Sequence, residues 1–177
     1  GIWSRAYRFL FERKYNERPT NLPYNETAIM RFFAGSTWVA DKWYMLFDVI
    51  SKPEKFFATR KGDCDEHAVF AAAVMKYPAF LMSVQWYNPS ERFFRRFKGH
   101  NVALYYKEED GKLYHISNTG QYGPFGRFYE AVYSVVPNGC VPCAFQCRTV
   151  RKFTEDKKDL RWISGARLSL KNSKKFK

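Results

Sequence analysis

Hydrophobic positions change their spacing near the middle of the chain. Over the first third they recur at helical intervals: Tyr7, Leu10 and Phe11 within 4 to 14, then a segment from 25 to 33 that Asn25 can cap. A third helical stretch spans 41 to 50, through Trp43, Met45, Leu46, Phe47, Val49 and Ile50, and Pro53 stops it. A loop over 51 to 55 and the run Phe56-Phe57-Ala58-Thr59 lead to a helix from Cys64, in which Ala68, Val69, Ala72, Ala73 and Met75 are apolar and mostly small; Pro78 forbids its continuation. Beyond Pro78 the texture is that of strands: 80 to 87, closed by the turn cluster Asn88-Pro89-Ser90, then 101 to 107 and 112 to 117. The glycine-rich 120 to 126 reads as a loop, 127 to 133 as a helix, and 132 to 136 and 144 to 150 as further strands. Helices followed by a meandering antiparallel sheet predict an α+β fold.

The 177 residues suit one domain over 1 to 170 with a basic, solvated tail over 171 to 177. Hydrophobic residues at 46% and aromatics at 19% exclude global disorder, and the longest apolar run, Ala68 to Met75, is too short for a membrane span of about 20 residues. Arginines interrupt the N-terminal Ile2-Trp3-Ser4-Arg5-Ala6-Tyr7-Arg8, which therefore lacks the apolar region of a leader, and the expected location is cytoplasmic. A leader removed before Gly1 stays open. The formal charge of +13 implies attraction to polyanions, whether nucleic acid, an anionic membrane or an acidic protein partner. Arginines and phenylalanines interleave in Glu91-Arg92-Phe93-Phe94-Arg95-Arg96-Phe97-Lys98, a pattern that serves base stacking or a folded loop equally.

Four cysteines stand at 64, 140, 143 and 147. The cluster Cys140-Val141-Pro142-Cys143 is half of a metal motif with no second pair following, and a strand would use these thiols as small packing residues; no metal and no cofactor is expected. Cys64 differs. In Arg60-Lys61-Gly62-Asp63-Cys64-Asp65-Glu66-His67-Ala68, Asp63 can act as N-cap and Glu66 can complete a capping box, which puts Cys64 at the first helical position. A helix start favours an anion, and the thiolate is the form that attacks carbonyls.

The strand pair supplies two partners. With a three-residue loop Glu109-Asp110-Gly111 and Gly111 left-handed, Glu108 faces Lys112, and His100 and Asn118 become diagonal neighbours on one face. A two-residue loop would place them on opposite faces. Thiol, imidazole and amide together provide nucleophile, proton acceptor and ring orienter for acyl transfer. His67, on the Cys64 helix, and His115, of the wrong strand parity, compete less well for the base.

The order and spacing resemble the transglutaminase-like superfamily of cysteine enzymes. Gly62-Asp63-Cys64 is similar to the nucleophile motif of bacterial transglutaminase-like cysteine peptidases, Gly99-His100-Asn101-Val102-Ala103-Leu104 to the histidine strand, and Ile116-Ser117-Asn118-Thr119 occupies the place of the Asp motif, with Asn118 departing from it. The resemblance implies a papain/transglutaminase-like core with a catalytic helix on an antiparallel sheet, and an oxyanion donor in the Cys64 backbone N–H assisted by a polar side chain, Trp43 or Trp38. It implies a protein or peptide amide substrate and a thioester released to water or to an amine. The alternative is a catalytically inactive scaffold that binds nucleic acid or an acidic partner.

Overall fold

The computed structural model describes residues 25–40, 51, 53–91 and 97–149. The expected helices over 4 to 14 and 41 to 50, with Trp43, the centre of the arginine-phenylalanine segment and the tail over 171 to 177 lie outside the described residues.

Helix α1, Glu26–Ala34, starts where Asn25 Oδ1 accepts the Ala28 amide at 2.8 Å, and it buries Ile29, Phe32 and Phe33. A two-residue strand β1, Thr37–Trp38, follows. Helix α2, Pro53–Thr59, begins on a proline whose missing N–H costs nothing in a first turn; residues 53 to 55, expected as part of a loop, are its first turn, and the run 56 to 59 completes it. It ends at Arg60, whose φ of 53° turns the chain into β2, Lys61–Gly62, parallel to β1. Helix α3, Cys64–Val74, is buried from Asp65 to Val74, so it has no solvent stripe, and its alanines permit close packing on all sides.

The strands are β3, Ala79–Tyr87, β4, Phe97–Lys107, β5, Lys112–Ser117, β6, Gly120–Phe125, and β7, Val141–Thr149, with helix α4, Phe128–Val135, between the last two. They form one antiparallel sheet in the order β6-β5-β4-β3-β7. Two expectations are corrected. Residues 120 to 126 are not a loop: Gly123 and Pro124 are tolerated because β6 is an edge strand. Residues 132 to 136 are not a strand: Val132 belongs to α4, where it is buried with Phe128 and Ala131 at helical spacing, and that burial outweighs the β-branched composition.

The sheet divides two cores. On one face α1, α2 and α3 pack against Ala79, Leu81, Ala103, Tyr105 and Ile116. On the other, α4 packs against Met82, Val84, Trp86, Val102, Leu104 and Leu113. An ion pair between Lys107 and Glu26 ties β4 to the start of α1. Among the described residues no helix is long and apolar enough to cross a membrane.

Candidate functional site

The start of α3 is fixed by four hydrogen bonds. Asp63 accepts the Asp65 amide at 2.8 Å and the Glu66 amide, while Glu66 returns one carboxylate oxygen to the Asp63 amide at 3.1 Å and the other to Ser51 N at 2.8 Å. Cys64 therefore opens the helix as the sequence predicts. Gly62 is required by space: a Cβ there would lie 2.6 Å from Glu66 Cβ and 2.9 Å from Cγ. Gly62→Ala is expected to push Glu66 out of the capping box and to cost about 1–2 kcal/mol, a typical loss for a cap. Urea denaturation at unchanged m-value checks it.

The Cys64 thiol is half-buried and donates to Asp65 Oδ1 at 3.4 Å. Asp65, only 6% exposed, also receives the Asn101 side-chain amide from β4. Burial, then the Asp65 and Asp63 carboxylates, push the thiol far above its ordinary value, against the pull of the Asn101 backbone amide. In this arrangement the thiol carries its proton.

The hairpin register departs from the sequence reading by one residue. Lys107 pairs with Lys112 and Leu104 with His115, so the connection is the four residues Glu108 to Gly111, closed by Gly111 N to Lys107 O at 3.0 Å. Gly111 is left-handed as expected, with φ 65°. A one-residue change reverses every face. His100 pairs with Val84 and so looks toward the α4 core, while its neighbour Asn101 faces α3 and meets Asp65. Hydrogen bonds link Cys64 to Asp65 and Asp65 to Asn101; among the described residues none joins the Cys64 thiol to His100. Asn118 follows the end of β5; the same register carried on would set it opposite Asn101. The Oδ1 atoms of Asn101 and Asn118 are enclosed and meet no donor among the described residues. Burial, with His67 nearby, holds His100 below its ordinary pKa.

The other two histidines are committed. His67 Nδ1 lies 2.6 Å from the Asp63 carbonyl, which can only accept, so Nδ1 carries the hydrogen. Burial lowers the ring's pKa and keeps it neutral, which leaves Nε2 to accept from Ser36 Oγ at 2.7 Å. This bond joins the end of α1 to the helix that carries Cys64. His115 Nε2 meets Ser134 Oγ at 2.7 Å on the opposite face. Trp38 pairs with Gly62 across β1 and β2, one strand from the cysteine turn, and is 57% exposed; Trp43 lies outside the described residues.

Cys140 and Cys147 pack against the α4 core and Cys143 is exposed; burial pushes the Cys147 thiol up to about 12. All four cysteines are free. Among the described residues the donor atoms of Asp63, Cys64 and Asp65 lie within 4.8 Å of one another, but both carboxylates already serve amide donors. Asp65 and Asn101 are the site residues that the sequence reading passed over. The sequence reading gives Asp65 no role and quotes Asn101 only beside His100; their contact joins α3 to β4 and has no local sequence signal.

No family model matches the chain, and no curated protein matches it. Among solved structures, LapG of Legionella pneumophila is similar at 11% identity over 90% of this chain and 84% of that chain, with a TM-score of 0.37. A likeness of that degree leaves fold and chemistry to be argued from the residues.

Proposed function

We propose that the protein is a cysteine-dependent hydrolase of amide bonds on a papain/transglutaminase-like core, with Cys64 as nucleophile. The observation that carries this reading is the thiol at the first position of a capped, buried helix, facing a strand that bears His100 and Asn101 in succession. Cys64 attacks the amide carbonyl, its proton passes to the base, the amine leaves with that proton, and water releases the acid from the thioester. The helix N-terminus and the Cys64 backbone N–H stabilise the oxyanion. His100 is the base and Asn118 its orienting partner. For His100 to act, its ring must reach the Cys64 face from a stretch of β4 that β3 pairs through Phe97 and that β5 leaves unpaired before Ala103.

The second reading, a catalytically inactive scaffold that binds an acidic partner or nucleic acid, is favoured by one observation: among the described residues no imidazole bonds the thiol. One experiment separates them. The protein is incubated with a peptide library and the Cys64 peptide is searched by mass spectrometry for an acyl adduct that hydroxylamine removes. The hydrolase reading expects the adduct in the native chain, none in Cys64→Ala, and at least about a 100-fold loss of adduct formation in His100→Ala. No adduct in the native chain, together with salt-sensitive binding to a polyanion, supports the scaffold instead.

A further inference from the structure

The Asp65 side chain is placed unlike an ordinary first-turn carboxylate. A charge that serves only the helix dipole stands at the surface, where it contributes about 0.3–1 kcal/mol. Asp65 is 6% exposed, turned under the helix, with one oxygen shared between the Cys64 thiol at 3.4 Å and the Asn101 amide. Burying a carboxylate costs several kcal/mol, and a neutral side chain would fill the same space without that cost. Such a placement calls for a task that the charge performs.

We propose that Asp65 is a positioning residue that keeps the Cys64 nucleophile latent: its carboxylate takes the thiol hydrogen and, through Asn101, holds it against β4, so the thiolate forms only when that carboxylate is neutralised or drawn aside. This rests on the reading of Cys64 as nucleophile. The thiolate and the Asp65 carboxylate compete for one helix N-terminus, and two negative charges at that separation repel strongly in a half-buried site. Among the described residues, the groups that act on the thiol bring no positive charge. Asp63 adds a further negative charge, Glu66 is directed back to the Asp63 and Ser51 amides, and β4 presents the uncharged Asn101 while its His100 faces the other core. From β2 come Gly62 and the exposed Lys61.

The test measures iodoacetamide alkylation of each cysteine by peptide mass spectrometry across pH, with exposed Cys143 as internal reference and packed Cys147 as a monitor of unfolding. Asp65→Asn is expected to raise the Cys64-to-Cys143 rate ratio at neutral pH by about tenfold or more, equivalent to one pH unit in the thiol, and to move the Cys64 midpoint down. An unchanged or smaller ratio in a variant whose Cys147 stays protected overturns the proposal. If the variant unfolds, the native chain decides: the Cys64 midpoint must lie above that of Cys143, and a midpoint at or below it also overturns the proposal. Alkylation needs no substrate, so failure of the hydrolase reading leaves this result standing, and the reverse holds equally.

Discussion

Phe70→Ala is expected to lower the unfolding free energy by about 3–5 kcal/mol, the range for removing a fully enclosed phenylalanine. The ring is completely buried on α3 and joins three helices. It stacks on Phe32 of α1 at 4.7 Å, meets Phe56 of α2 edge-on at 5.4 Å, and contacts Phe33 and Phe57 at 6.2 and 6.4 Å. Phe57→Ala is the comparison: its ring stacks in the same cluster but is 40% exposed, so about 1 kcal/mol is expected, from partial loss of apolar burial. Equal urea midpoints for the two variants would show that Phe70 does not anchor this core. The consequence reaches the candidate site, since the same α1–α3 contact includes the Ser36–His67 bond, within one turn of Cys64. A Phe70→Ala chain that still folds should therefore expose Cys64 to alkylation sooner than Cys147.

Local chemistry made several elements legible. Asn25 marked the start of α1, Asp63 and Glu66 fixed α3 to the residue, and the β-rich runs located β3, β4 and β5. What escaped was decided by distant contacts. The glycine and proline of β6 are tolerated because, among the described residues, no strand pairs beyond that edge, and Val132 is helical because its neighbours along α4 are buried with it. The costliest difference is the hairpin loop. A left-handed Gly111 closes a three- or a four-residue connection, so the residue that settles the turn leaves its length open. The longer loop sets Asn118 opposite Asn101 and takes it off the face of His100, while the pairing of β4 with β3 decides which face His100 and Asn101 occupy. Elements were readable from neighbours in sequence; the face each residue occupies depended on which connection the whole sheet accepts.

Acidification from pH 6.5 toward pH 4 is expected to remove about 3 kcal/mol of stability through His115 alone. The ring is 2% exposed, lies over Phe125 at 5.5 Å and near Tyr122 at 4.9 Å, and burial lowers its pKa from 6.5 to about 4. Ser134 Oγ donates to the Ala131 carbonyl at 2.8 Å, so its remaining capacity is to accept from His115 Nε2–H at 2.7 Å, and Nδ1 is left as an enclosed lone pair. A proton on Nδ1 would create a buried charge and a donor with no acceptor among the described residues. The unfolded chain binds that proton near pH 6.5 and the folded chain only near pH 4, so in between the unfolded state holds more protons and stability falls as pH falls. His67 and His100, also held low by burial, act in the same direction over this window. Glu26 does so only lower down, since its folded pKa lies below the ordinary 4.5. The measurement is a series of urea midpoints between pH 7 and pH 4.5, in the native chain and in His115→Leu. Each histidine contributes at most about 1.4 kcal/mol per pH unit, so the variant should show a slope shallower by about that amount. Parallel slopes would mean that the ring is already charged, or already solvated, in the folded protein.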